Sequence, residues 1–88
     1  MRFIDNLKSS NMTLKEQVQL CLGERIRTLR LEKGLTIKKL AAEAEMEYVQ
    51  LSRIELGKIN TTAYQLFKLS KALSLDMSIL FKNFNEEV

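Results

Sequence analysis

The fold is decided by TIKKLAAEAEMEYVQLSRIELG, residues 36–57. Thr36 is a residue type that caps a helix, and the apolar residues after it fall at the steps of three and four that line one helix face. Two of them, Ala41 and Ala44, are small enough to let another helix cross closely. After a break, a second apolar series runs up to Gly57, a residue type that ends helices. The stretch therefore predicts two short helices joined by a tight turn.

A longer helical pattern precedes this pair. Thr13 followed by Glu16 has the spacing of a capping box, and Gly34 supplies a stop. Between them the apolar face consists of Leu14, Val18, Leu22, Ile26 and Leu29. Gly23 interrupts this face at a cost of about 1 kcal/mol relative to alanine. Two readings stay open at this point: one long helix that runs to Lys33, or a separate short helix before it.

Two further helices follow the pair. Thr61 and Thr62 offer a cap for a fourth helix, and Ser74 and Asp76 offer caps for a short fifth one. The inward face of the fourth helix is Ala63, Leu66, Leu69, Ser70 and Leu73, and that of the fifth is Met77, Leu80 and Phe81. Because the chain has no proline and only three glycines, local preference favours helix nearly throughout. The predicted fold class is all-α, a compact five-helix domain.

The length limits the number of domains. A chain of 88 residues closes one modest hydrophobic core and leaves little for a second. Hydrophobic residues make up 45% and charged residues 28%, the balance of an ordinary globular domain. We predict an N-terminal extension over residues 1–21 with helix beginning at 13 as one option, the domain over 22–84, and a C-terminal tail over 85–88.

Several classes of protein are disfavoured by composition. Cys21 is the single cysteine and histidine is absent, so neither an internal disulfide nor a Cys/His zinc site is expected. No apolar run approaches the roughly 20 residues of a membrane span, and residues 1–12 lack the apolar segment of a signal peptide. No acid–base pair or glycine-rich phosphate loop is recognisable. The prediction is a cytoplasmic protein without catalytic residues, metal or cofactor.

Four segments together carry a resemblance to a known family. They are LGERIRTLRLEKGLT at 22–36, KKLAAEAEM at 38–46, LSRIELGK at 51–58 and LFKLSKALSLDMSILF at 66–81. In combination they resemble the repressor and Cro-like (XRE-type) helix-turn-helix family, in which five helices pack together and the third lies in the major groove of DNA. The resemblance implies a sequence-specific transcriptional regulator that binds duplex DNA.

The resemblance also implies which side chains read the DNA bases. By matching positions they are Tyr48, Val49 and Arg53, with Gln50 and Ser52 in support. The chemistry fits, since an arginine can donate two hydrogen bonds to guanine, a valine can pack on a thymine methyl group and a glutamine can pair with adenine. Tyr48 can equally bond a phosphate or shield the turn.

Other positions match the family's phosphate contacts and its scaffold. The expected phosphate contacts are Thr36, Lys38, Lys58 and Asn60. Arg30 and Glu55 match a structural ion pair that ties the first helix to the third. Their role would be to hold the scaffold, so a substitution there would reduce binding through unfolding.

Apolar residues near the C-terminus are candidates for a dimer contact. These are Leu75, Ile79, Leu80, Phe81 and Phe84, and closure of the core is an equally good explanation for them. A two-fold dimer would place two recognition helices about 34 Å apart, one turn of DNA. A palindromic operator would follow from that symmetry.

Three departures from the family pattern support an alternative function. Glu45 stands where the family has a glycine with positive φ, and Ile37 replaces a phosphate-binding glutamine. Glu47 adds negative charge to the third helix, the reading helix that the resemblance places in the major groove. The alternative is a protein–protein interaction module of the same fold that has lost DNA binding. Among regulators, the sequence leaves open a restriction-modification controller, a phage-type repressor and an antitoxin with a toxin partner.

Overall fold

The computed structural model describes residues 11–88, so the first ten residues of the predicted N-terminal extension lie outside it. Its elements are α1 (Leu14–Glu32), α2 (Ile37–Glu43), α3 (Tyr48–Glu55), α4 (Ala63–Ala72), a 3-10 helix (Met77–Phe81) and α5 (Phe84–Glu87). Over the described range there is no strand, and the predicted all-α class is confirmed.

Helix α1 runs without a break from one predicted signal to the other. The backbone N–H of Thr13 donates to the Glu16 carboxylate, and the backbone N–H of Glu16 donates to the Thr13 hydroxyl, at 3.1 Å each. Hydrogen bonding from Thr13, chiefly from its backbone, lowers the pKa of the Glu16 carboxyl. The helix continues through Gly23 and ends before Gly34, whose φ is 71°. One long helix is therefore the correct reading, and it crosses the boundary at 21/22 that the sequence suggested.

The tight turn between α2 and α3 forms without glycine. The hydroxyl of Thr36 caps α2 by accepting from the backbone N–H of Lys39. At the other end Glu45 has a φ of 53°, the positive value expected for this position. Glu47 is the N-cap of α3 in extended conformation, and its side chain makes no capping bond.

The core lies where the first four helices and the 3-10 helix converge. Its most enclosed side chains are Ile26, Leu40, Leu51, Ile54, Leu69, Leu73 and Leu80. Ala41 and Ala44 are also buried, which agrees with their predicted role at a close helix crossing. Met46 and Ile37 pack against this cluster from its edge.

The end of the chain differs from the sequence prediction. Ser74 is not a cap for the last predicted helix; it has a φ of 58° and terminates α4, where the N–H of Leu75 bonds to the carbonyl of Ser70. Asp76 begins the next element, but its carboxylate accepts from the Ser78 hydroxyl instead of the backbone. The element itself is a 3-10 helix, and the residues predicted as a tail form most of α5.

Arg25 explains why the chain is ordered beyond the 3-10 helix. Its guanidinium donates to the carbonyls of Ile79 and Lys82 at 2.7 Å each and lies 5.5 Å from the ring centre of Phe84. Phe84 in turn packs edge to face on Phe81, with 5.1 Å between ring centres. The contacts of Arg25 span more than fifty positions in the sequence, so local patterns do not reveal them.

Gly23 provides a test of how closely α1 crosses α3. A Cβ there would lie 2.6 Å from the carbonyl oxygen of Glu55 and nearer still to that of Ile54. Helix propensity alone predicts that Gly23→Ala stabilises the protein by about 1 kcal/mol. We expect the opposite, a loss of about 2 kcal/mol or more in the free energy of unfolding measured in urea, because the backbone of α1 or α3 must move to make room for the methyl group.

The matched control is Gly34→Ala. An added Cβ there meets nothing within 4 Å, so its cost is the positive φ alone, about 1–2 kcal/mol. A Gly23→Ala variant more stable than the wild type would show that α1 and α3 do not cross this closely.

Candidate nucleic-acid interface

Helix α3 has a buried underside and an outward face. Leu51 and Ile54 are enclosed in the core, which fixes the helix on the scaffold. Of the five predicted base-contacting residues, the structure exposes three and leaves two partly exposed. The exposed ones are Tyr48, Val49 and Arg53, and the partly exposed ones are Gln50 and Ser52. None of the five is buried, as contact with a DNA groove requires.

An ion pair fastens the end of α3 to α1. The guanidinium of Arg30 donates twice to the carboxylate of Glu55, from Nε to Oε2 at 2.8 Å and from Nη2 to Oε1 at 3.0 Å. Its Nη1 donates to the carbonyl of Leu35, just before α2. The two side chains are 8% and 3% exposed. The pair that the resemblance implied is thus formed, and it joins α1, α3 and the entry to α2.

The predicted phosphate contacts lie on both sides of α3. Thr36 and Lys38 are exposed at the start of α2, and the Nζ of Lys38 lies 5.8 Å from the ring centre of Tyr48. Lys58 and Asn60 are exposed in the loop after α3. Basic and polar groups therefore flank both ends of the reading helix, the arrangement needed to straddle a groove.

The three departures have definite positions. Ile37 packs its apolar side chain against the core, so the glutamine contact to a phosphate that the family makes at this position is absent. Glu45 and Glu47 are both exposed and line a shallow groove between α2 and α3 together with Tyr48. Since the Glu47 carboxylate makes no capping bond, it is free to accept from a base amine such as cytosine N4.

The first turns of α1 also hold the end of α3, which the sequence analysis missed. The amide of Gln19 donates to the carbonyl of Gly57 at 3.1 Å. Leu20 packs closely on Gly57: a Cβ added at Gly57 would lie 2.7 Å from the Cδ2 atom of Leu20. The capping box at Thr13 was the available signal, because it starts the helix early enough to place both residues here.

One predicted dimer residue is corrected by the structure. Leu80 is 0% exposed and belongs to the core, so it is not available to a second copy. Leu75, Ile79 and Phe84 are half-buried, and Phe81 is exposed. The same half of the chain exposes Tyr64 and Phe67 on α4. The sequence analysis left both residues off the inward face that it predicted for this helix and gave them no role.

Other site types find little support in the described residues. Between residues 11 and 88 no cluster of three or more histidine, cysteine, aspartate or glutamate side chains is placed to hold a metal ion. Burial raises the pKa of the Cys21 thiol, with the Arg25 guanidinium opposing the shift. Over the same range no helix is both long and apolar enough to span a membrane.

Comparisons with known proteins agree with this geometry. A helix-turn-helix family model matches residues 26–80. The chain is 31% identical over 71 residues to control protein C.MunI from Mycoplasma sp, covering 80% of this chain and 96% of that protein. It is 32% identical over 63 residues to control protein C.BamHI from Bacillus amyloliquefaciens, covering 70% and 78%.

A solved structure shows the same arrangement of helices. The restriction-modification controller protein C.AhdI from Aeromonas hydrophila superimposes with a TM-score of 0.71 at 30% identity. The superposition covers 72% of this chain and 96% of that one.

The ion pair yields a stability prediction that is separate from DNA contact. Glu55→Gln leaves a buried guanidinium without its charge partner, so we expect a loss of about 3–5 kcal/mol in the free energy of unfolding. Arg30→Met should cost a similar amount, and the double variant should cost less than the sum by about 1 kcal/mol or more. Chemical denaturation of the four proteins measures this coupling.

Arg53→Gln is the control, because it removes a charge from the same helix at an exposed position. Its expected effect on the free energy of unfolding is within about 0.5 kcal/mol. Strict additivity of the Arg30 and Glu55 variants would contradict a working ion pair.

Proposed function

Because the chain belongs to the helix-turn-helix family of DNA-binding regulators, we propose that it is a homodimeric restriction-modification controller that binds a palindromic operator. The observation that carries the proposal is the outward face of α3, accessible on a helix whose underside is locked in the core. The controller role is supported by the names of its relatives. The family consists of regulators and not of enzymes, and the proposal includes no catalytic step.

In the proposed complex α3 enters the major groove. Arg53 donates two hydrogen bonds to guanine O6 and N7, and Val49 packs on a thymine methyl group. These two side chains are one helical turn apart and share a face, so they reach neighbouring base pairs. Gln50 and Ser52 support them at the edge of this face. Tyr48, beside Lys38, contacts the backbone or an adjacent base.

Phosphate contacts on both sides set the register of α3 in the groove. Thr36 and Lys38 bind one strand, and Lys58 and Asn60 bind the other. Each lysine that neutralises a phosphate releases counterions, so affinity falls as salt concentration rises. The net charge of +3 is small, and the placement of these groups matters more than the total.

The proposed dimer forms through the C-terminal half of the chain. Phe81 is 42% exposed and is the most accessible of the predicted dimer residues, with Leu75, Ile79 and Phe84 around the same segment. A two-fold contact there would set two copies of α3 about 34 Å apart on one face of DNA. Action on DNA requires the cytoplasmic location that the sequence predicts. A toxin partner has no support in the names of the relatives.

Selection of bound sequences from a pool of random duplexes tests the reading face. We expect the wild type to enrich a palindrome. Arg53→Lys keeps the charge but loses the bidentate geometry, so base preference at one symmetric position should fall by about 1–3 kcal/mol. Lys58→Gln should weaken all sequences equally and reduce the salt slope by about 0.9 per protomer, which is about 1.8 for the dimer on its two half-sites.

The same experiment separates the two functions that the sequence left open. A folded wild type that retains no duplex in a salt-dependent way would sink the regulator proposal. The interaction module without DNA binding would then be the better account.

The dimer is tested by sedimentation equilibrium. Phe81→Ser removes an exposed aromatic ring, and we expect the dimer dissociation constant to rise about tenfold or more. Leu31→Ser is the control, since Leu31 is 51% exposed near the end of α1 and is not among the predicted dimer residues. Equal dissociation constants for the two variants would place the dimer contact elsewhere.

A further inference from the structure

The turn between α2 and α3 contains a strained residue. Glu45 has a φ of 53°, a conformation that a side chain with a Cβ adopts at a cost. Its N–H bonds to the carbonyl of Ala42 at 3.2 Å, and the N–H of Met46 bonds to that of Ala41 at 2.9 Å. These are the two bonds of a Schellman motif, which ends a helix around one left-handed residue.

A side chain from another helix binds this turn. Lys68 of α4 donates from its Nζ to the carbonyl oxygen of Glu45 at 3.0 Å, across 23 positions of sequence. The same Nζ lies 4.8 Å from the ring centre of Tyr64, one turn earlier on α4. The ring therefore holds the ammonium in place by a cation–π contact, while the ammonium holds the peptide that follows Glu45.

The position of this bond links it to the reading helix. The carbonyl of Glu45 belongs to the peptide two residues before Glu47, the N-cap of α3. If that peptide rotated, the direction in which the chain enters α3 would change, and Tyr48 and Val49 would move first. The ordinary solution is a glycine at the left-handed position, which needs no external support.

We propose that Lys68 is a positioning residue for DNA recognition, which holds the left-handed turn at Glu45 and so sets the start of α3. The inference rests on the proposed function, because its main consequence is for DNA affinity. Lys68 itself need not touch DNA. Its role arises from the glutamate at position 45 and disappears if a glycine replaces it.

Lys71 offers a matched control for charge. It lies on the same helix and is exposed, and its ammonium group makes no hydrogen bond to the part of the chain that the structure describes. Lys68→Met and Lys71→Met therefore remove the same charge from α4, but only the first removes the bond to the turn. Lys68→Arg keeps both a donor and a cation over the ring.

The experiment compares operator affinity for these variants at one salt concentration and at a temperature where all are folded. The operator is the duplex selected by the wild type. Lys68→Met should bind about tenfold more weakly than Lys71→Met, the loss expected for one hydrogen bond from a charged donor. Lys68→Arg should stay within about twofold of the wild type. In a Glu45→Gly background the difference between the two methionine variants should vanish.

Two results would overturn the inference: equal affinities for Lys68→Met and Lys71→Met, or a Lys68→Met loss that persists undiminished with glycine at position 45. The second shows that Lys68 acts on DNA directly or on general stability.

Backbone amide shifts in the DNA-free protein keep this inference distinct from the proposed function. Lys68→Met should move the resonances of residues 45–49, Lys71→Met should not, and Glu45→Gly should suppress the difference. If the wild type binds no DNA but these shifts appear, the role of Lys68 at the turn stands and the proposed function fails. If the wild type binds its operator and the shifts are absent, the inference fails and the function stands.

Discussion

The Arg30–Glu55 ion pair, set beside the close crossing of α1 and α3, is the constraint on which the reading helix depends. Glu55 ends α3 and Arg30 lies near the end of α1, so the pair joins the last turns of the two helices. Gly23 lets the backbones meet at the crossing, and the third donor of Arg30 reaches the carbonyl of Leu35, in the loop that leads into α2. An eight-residue helix would not hold its orientation alone, because helices this short are marginal in water.

The turn before α3 contains a residue in an unfavourable backbone conformation that is supported by a contact from another helix. Glutamate at position 45 conflicts with the backbone conformation that the turn requires, yet the turn forms with both of its expected bonds. Strain at such positions persists only where the surroundings determine the conformation. Here the surroundings include the buried Ala41 and Ala44 below the turn and Lys68 beside it. The contact from α4 thereby offsets part of the conformational strain at Glu45.

The C-terminal segment combines core closure with an accessible surface. Leu80 completes the core, while Phe81, its neighbour, faces outward and packs on Phe84. Arg25 donates to the carbonyls of Ile79 and Lys82, on either side of Leu80 and Phe81, and so ties this segment to α1. Closing the core and presenting an apolar surface were alternatives at the level of sequence. In the folded chain, adjacent residues serve each purpose.

The sequence by itself determined the features that depend on neighbours three or four positions apart. The caps at Thr13, Thr36 and Thr62, the stops at Gly34 and Gly57, and the buried faces of α3 and α4 follow from local patterns. The exception is Ala63, which was predicted on the inward face of α4 and is exposed. The resemblance added the reading face, whose residues lie outward on α3. The tertiary structure alone decided that α1 continues through Gly23, that Leu80 is enclosed, that the last predicted helix is 3-10, and that Lys68 reaches Glu45. Each of these depends on atoms brought together from positions more than twenty residues apart, and no local preference encodes such a distance.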